Sequence, residues 1–195
     1  MPVLETERLV LRVPRFEDAR PVVAIANDRR IAEMTANLPH PYAEKDAENW
    51  IANAWTSQDH PFLITLKTNG AIVGATGFVM PELGDPEIGY WLGTAHWGRG
   101  YATEAARAVV DHLFTDRGAD AVAARARVVN PASRRVIEKC GFQWVGAGLT
   151  RSRLLASSVP VDKFRLDRTL WASLKAWRDP ILRRSAPKVV IGSLS

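Results

Sequence analysis

The chain is poor in cysteine: Cys140 is the only one in 195 residues, so no internal disulfide framework exists and a reducing, cytoplasmic setting is expected. Cys140 sits just before Gly141 in an apolar helical stretch, where a packed small hydrophobe fits better than a nucleophile. Long apolar runs are absent too. No window approaches the roughly 20 apolar residues that span a bilayer, and Met1-Pro2-Val3-Leu4-Glu5 lacks a basic segment with an apolar stretch behind it, so neither anchor nor signal peptide is expected. His96 and His112 make no metal-ligand set with Cys140, and no metal is expected. Internal repeats, low-complexity blocks, zinc spacings, aromatic RNA-binding signatures and basic recognition helices are all missing.

What remains is ordinary globular material, 47% hydrophobic and 24% charged. The economical division is one domain over 1–171, followed by a helical extension and basic tail over 172–195. Periodicity predicts a strand over Leu9 to Val13, helical segments over Phe16 to Met34 and Ala43 to Ser57, and strands over Phe62 to Lys67 and Ala71 to Val79. Asn69-Gly70 between the latter two is a type I′ hairpin signal. A strand over Pro86 to Leu92, a helix over Tyr101 to Phe114, a strand from Ala121 to Val129, a helix from Pro131 and strands over Phe142 to Leu149 and Val161 to Thr169 follow. This order predicts an α/β (α+β) fold: a mixed, mostly antiparallel sheet of about seven strands with helices on both faces.

The junction at Glu87-Ile88-Gly89-Tyr90-Trp91-Leu92 and Trp97-Gly98-Arg99-Gly100-Tyr101-Ala102-Thr103 feeds a strand through a glycine-flanked loop into a helix. Such a loop aims unpaired N–H groups and the positive end of the helix dipole at one point, where a phosphate binds best. It lacks the Gly-Lys-Ser/Thr ending of a nucleotide P-loop and the G-x-G-x-x-G of a dinucleotide fold. On its own, Gly98-x-Gly100 also reads as a plain turn.

A second strand-to-helix unit follows at Val129-Asn130-Pro131-Ala132-Ser133-Arg134-Arg135, with Glu138-Lys139-Cys140-Gly141-Phe142 closing the helix. Together with Glu5-Thr6-Glu7-Arg8-Leu9-x-Leu11-Arg12, Pro39-x-Pro41-Tyr42 and Trp50-Ile51, these units resemble the GNAT superfamily of N-acetyltransferases over Leu4 to about Trp171. The branch containing the ribosomal-protein-alanine N-acetyltransferases is the nearest. The family's loop, Gln/Arg-x-x-Gly-x-Gly/Ala, departs here at Trp97, and backbone amides, not that side chain, hold phosphates.

The resemblance implies acetyl-CoA as cosubstrate. It implies cofactor contacts from Trp91, Leu92 and Gly93 on the strand, from Trp97, Gly98, Arg99, Gly100, Tyr101, Ala102 and Thr103 in the loop, and from Asn130, Ser133, Arg134, Arg135 and Lys139. Strand alternation puts Glu87 on one face with Gly89 and Trp91, opposite Ile88 and Tyr90; it is the candidate general base, or else a solvated strand-start acid. Ser133 is the candidate proton source for the departing thiolate, or else a helix N-terminal residue, and Asn130 shares that ambiguity as a natural cap. Glu104, in the first turn of the loop's helix, reads as a dipole partner without a catalytic role. His40 and Tyr42 are acceptor-side candidates. Of seven tryptophans, core packing is expected to explain most and an acceptor pocket one or two.

Net charge of +5 and a basic pI invite a nucleic-acid reading. Arg99, Arg134, Arg135 and Lys139 belong to the cofactor motifs, and Lys175, Arg178, Arg183, Arg184 and Lys188 crowd the end, so solvated tail charge is the preferred explanation. The resulting expectation is transfer of an acetyl group to a primary amine, either a protein α-amino group or a small amine, by direct attack in a ternary complex. No membrane or nucleic-acid partner is expected, and monomer and homodimer stay open, Val189-Val190-Ile191 leaving room for a contact. The rival is a non-catalytic coenzyme A binding or regulatory protein of the same fold.

Overall fold

In the computed structural model, which describes residues 2–56 and 60–178, the chain opens with β1 (Leu4–Glu5) and β2 (Leu9–Arg12). A 3-10 turn at Phe16–Asp18 leads into helices α1 (Ala19–Ala26), α2 (Arg29–Met34) and α3 (Glu44–Thr56). Strands β3 (His60–Leu66), β4 (Ile72–Val79) and β5 (Glu87–Leu92) meander toward a second 3-10 turn at Thr94–His96 and helix α4 (Tyr101–Thr115). The chain continues through β6 (Ala121–Arg127), α5 (Pro131–Cys140), β7 (Gln143–Ser152), β8 (Ser157–Asp167) and α6 (Arg168–Arg178).

The eight strands among the described residues lie in one sheet, ordered β1-β2-β3-β4-β5-β6-β8-β7. Each neighbouring pair is antiparallel except β5 and β6, which run parallel. The fold is thus the mixed, mostly antiparallel sheet with helices on both faces that the sequence predicts, with the short β1 as the additional strand. Two cores result. On one face α4 and α5 bury Val109, Leu113 and Ile137 against Leu9, Leu11, Phe62, Ile64 and Phe164. On the other, α1 and α3 bury Val22 and Ile51 against Leu63 and Ala75. Strand β3 serves both, which is why Phe62-Leu63-Ile64 reads as a continuous apolar run instead of an alternation.

Several expected boundaries move. The predicted helix over 16–34 breaks at Asn27-Asp28, because Asp28 adopts an extended backbone and its carboxylate accepts from the Arg30 amide at 2.9 Å, capping α2. The expected type I′ turn at Asn69-Gly70 is not formed. Only Gly70 has positive φ (+71°), and Leu66 N donates to Ala71 O at 2.9 Å while Gly70 N donates to Leu66 O at 2.8 Å. The loop is therefore a four-residue one, with Asn69 Oδ1 accepting from the Ala71 amide. The strand expected to Val129 ends at Arg127, and the last strand runs from Ser157 to Asp167 before α6 begins. Ser57 at the end of the second expected helix, and Arg183, Arg184, Lys188 and Val189-Val190-Ile191 of the tail, lie outside the described residues.

Asp18 is a polar anchor beneath the first helix, only 5% exposed. Its carboxylate accepts from Arg12 at 2.7 and 2.8 Å and from the Arg15 amide at 2.7 Å. Burial by itself disfavours the charge, and these donors outweigh it, holding the carboxyl below its ordinary 3.8. A group with a depressed folded pKa contributes stability above its unfolded pKa and loses it as pH falls. We expect Asp18→Ala to lose about 2 kcal/mol at neutral pH, and the gap from wild type to narrow below about pH 4 in denaturant titrations. A gap that widened in acid would contradict this assignment.

Candidate active site

The β5–α4 connection is tied down at both ends. The Trp97 indole Nε1 donates to the Leu92 carbonyl at 2.8 Å, folding the loop back on the strand it leaves. Gly98 and Gly100 then take φ of +74° and +79°, a region in which any other residue is strained. Gly100 is the N-cap of α4 and no side chain caps it, so the first-turn amides of Tyr101, Ala102 and Thr103 have no side-chain acceptor. Arg8 of the N-terminal segment bonds the Arg99 carbonyl at 3.0 Å and pairs with Glu104 at 2.6 Å. Glu104 also accepts from the Thr6 hydroxyl and the Arg8 amide. Burial disfavours its charge, but these donors hold the carboxyl below its usual range. Its contacts clamp the turn between β1 and β2 to the start of α4.

Beside this loop the sheet opens. β5 and β6 pair only at Glu87↔Ala123 and Ile88↔Ala124. Beyond that point β5 stays on β4 as far as Leu92 and β6 stays on β8 as far as Arg127, leaving a seam between them. Gly93 N donates to Val73 O at 2.9 Å, and strand alternation turns the Trp91 amide toward β4 with it. The amides of Tyr90 and Leu92 therefore face the seam. Of the three backbone positions expected to serve a ligand there, Leu92 is the one so oriented, and Tyr90 joins it.

A cleft of about 1020 Å³ follows the seam from one face of the sheet to the other. Trp97, Gly98 and Ala102 line the loop end, Tyr90, Trp91, Leu92, Asn130 and Ser133 the middle, and Tyr42 and Trp50 the far wall. Trp50 and Trp91 line the cleft and pack against the smaller core, Trp171 packs against the larger core and stacks on Phe114 at 4.8 Å, and Trp97, Trp144 and Trp177 are exposed, Trp97 at the loop end of the cleft.

Ser133 stands one turn into α5, and the Tyr90 hydroxyl lies 3.0 Å from both its Oγ and its carbonyl oxygen. Burial pushes the Tyr90 phenol well above its ordinary 10.0, so it keeps its proton through neutral pH. Asn130 caps α5, its Oδ1 accepting from the Ser133 amide at 3.0 Å while Nδ2 reaches the Met34 carbonyl at 3.5 Å. Glu87 lies in the cleft and accepts from Arg125 Nε at 2.8 Å. Tyr42 is buried on the far wall, and burial with nearby Asp46 raises its phenol to about 12.

The remaining expected contacts lie apart from the cleft. Arg134 bonds Glu138 at 2.8 Å and Asp162 at 3.2 Å, Arg135 is exposed on α5, and the Lys139 carbonyl accepts from Arg107 at 2.7 Å. His40 does not line the cleft, and its Nδ1 is buried without a partner among the described residues. Sequence reading missed Tyr90 and the arginines Arg125 and Arg127. Alternation put Tyr90 on the α5 face, but nothing in the pattern brings it to a serine 43 residues on.

A strand pair that parts beside an uncapped helix N-terminus, with a cleft along the seam, leaves backbone donors free for a phosphate-bearing ligand. The chain belongs to the GNAT family: residues 8–143 match the family described as "Acetyltransferase (GNAT) domain". It is 31% identical over 151 residues to an uncharacterized N-acetyltransferase, p20, of Bacillus licheniformis, a match covering 75% of this chain and 85% of that protein. The fold is similar to a GNAT acetyltransferase from Bacillus anthracis (TM-score 0.75, 22% identity, 85% and 98% of the two chains). It is also similar to RimL, a ribosomal L7/L12 α-N-protein acetyltransferase solved with coenzyme A (TM-score 0.73, 15% identity, 85% and 98%). The protein is an acetyl-CoA dependent acyltransferase.

Proposed function

We propose that residues 1–171 form one acetyltransferase domain that moves the acetyl group of acetyl-CoA to a primary amine by direct attack in a ternary complex. The single observation that carries this reading is the seam: β5 and β6 part after Ile88 and Ala124, and the cleft joins the loop end to the Tyr42 wall. Acetyl-CoA supplies a thioester, an electrophile whose leaving group departs as a thiolate. The uncapped amides of Tyr101 to Thr103, with those of the glycine loop, suit its pyrophosphate, and the seam-facing amides of Tyr90 and Leu92 suit the pantetheine arm and the thioester oxygen.

Glu87 takes the proton from the incoming ammonium through water. Its partner Arg125 fixes the carboxylate in the cleft. On the other side, Tyr90 and Ser133 share a hydrogen bond, and the Tyr90 phenol remains protonated, so the pair can pass a proton toward the departing sulfur. RimL, which acts on a protein α-amino group, supports the amine class of acceptor without naming this one. The only cysteine is buried, and no nucleophile stands poised in the cleft among the described residues. Mixing enzyme with acetyl-CoA alone should then release no stoichiometric burst of thiol, and release should begin only when an amine is added. A burst equal to the enzyme concentration without amine would overturn direct attack.

A further inference from the structure

Four arginines line the cleft: Arg30, Arg125, Arg127 and Arg153. Three are neutralised where they stand, Arg30 by Asp28 at 2.6 Å, Arg125 by Glu87 at 2.8 Å and Arg153 by Asp46 at 3.3 Å. Arg127 has no carboxylate partner among the described residues. Its Nη1 donates to the Glu33 carbonyl, closing the last turn of α2, and its Nε is buried with no acceptor. The Glu33 carboxylate, which could have served, is turned outward to Arg29 at 2.8 Å. The Nε–Nη2 edge of the guanidinium is therefore left without a protein acceptor, and that edge is the one whose geometry matches a carboxylate or phosphate two-pronged.

Arg127 stands at the end of β6 on the same strand face as Arg125, opposite Ala126, which is buried in the α4–α5 core. That is the face of the sheet on which Glu87 and Tyr42 meet the cleft, away from the α4 loop. Asn49 and Asn53 stand one turn apart on α3 and line the same cleft. A half-buried cation whose Nε is shut away from water, with only a neutral carbonyl to answer it, is costly unless an anion completes it.

We propose that Arg127 forms an acceptor subsite for an anionic group, so that the acceptor is a primary amine that also carries a carboxylate or phosphate. This rests on the amine-acetylation reading above and narrows it. The amine points to Glu87 and the thioester while the anion docks on Arg127 and the asparagines bond the intervening polar atoms.

The test is thiol release from acetyl-CoA with three matched pairs: alanine against alaninamide, aspartyl-glycinamide against asparaginyl-glycinamide, and phosphoethanolamine against ethanolamine. The pairs distinguish a free amino-acid carboxylate, an acidic peptide N-terminus and a phosphate. At least one anionic member should exceed its neutral twin in kcat/KM by about 10- to 100-fold, the range of a charge-assisted pair. In Arg127→Gln that ratio should fall to near one with calorimetric acetyl-CoA affinity unchanged, and Arg127→Lys, which keeps the charge and the cap on α2, should retain part of it. Equal turnover within every pair overturns the inference and leaves amine acetylation standing. So does a preference that survives in both variants while only their melting temperatures fall, the result of a mere helix cap. No thiol release with any amine, although acetyl-CoA binds, overturns the amine reading itself and this inference with it.

Discussion

Replacing Gly100 by valine is expected to weaken acetyl-CoA binding by at least about 30-fold, the equivalent of about 2 kcal/mol. The position is held at φ +79°, where a β-branched side chain is an outlier, and a Cβ there would come within 3.4 Å of the Arg8 guanidinium. The loop must then relax out of the left-handed region, which turns the α4 amides away from their common focus. Arg8 would lose its bond to the Arg99 carbonyl in the same movement. Because α4 itself is anchored by Val109, Leu113 and Phe114 in the larger core, the domain should still fold. Calorimetry with acetyl-CoA and a thermal melt on the same sample separate the two effects. Unchanged affinity in a folded variant would mean that these amides do not hold the cofactor.

The second large effect is at Glu87. Glu87→Gln is expected to lower kcat by about 100-fold, the scale of general-base assistance, with acetyl-CoA affinity unchanged. The carboxylate belongs to the paired, closed end of the seam, opposite Ala123 in register, whereas the phosphate-binding amides lie past the other end of β5. Glutamine leaves Arg125 without its counter-charge, but that side chain is 41% exposed and water can answer it. Glu87→Gln combined with Arg125→Gln checks this point: if loss of the base is the cause, the double variant is as slow as the single. Unchanged turnover in Glu87→Gln removes the base role and leaves Glu87 as one half of a surface ion pair.

Much of the fold was legible because its signals are local. The alternation of β5, the proline and asparagine that open α5, and Gly141 at φ +102° that stops it are all determined within a few residues. The loop at Gly98 to Thr103 was legible for the same reason, since a left-handed glycine before an apolar helix is a sequence feature as much as a structural one. What the sequence did not disclose is set by contacts between distant segments. The splay of β5 from β6 was implied by the family resemblance alone and not by periodicity, because it depends on which of two partners each strand keeps. The Tyr90–Ser133 and Arg125–Glu87 pairs bridge 43 and 38 positions. Arg127 reads as one more basic residue in a strand until α2 is seen folded over it with its own glutamate turned away. The hairpin at Asn69-Gly70 formed, but its turn type failed in the opposite direction: a strong local signal for a two-residue turn yielded to a loop in which the asparagine side chain bonds the Ala71 amide instead.

The central claim is that the seam between β5 and β6 holds acetyl-CoA and delivers its acetyl group across the sheet to an amine. The most direct measurement is a calorimetric titration of the protein with acetyl-CoA, followed on the same sample by thiol detection as amines and peptide N-termini are added. The account predicts saturable binding at one site per chain, weakened at least about 30-fold in Gly100→Val, and thiol release that starts only with an amine and slows in Glu87→Gln. Absence of acetyl-CoA binding, or binding that Gly100→Val leaves intact, would contradict it.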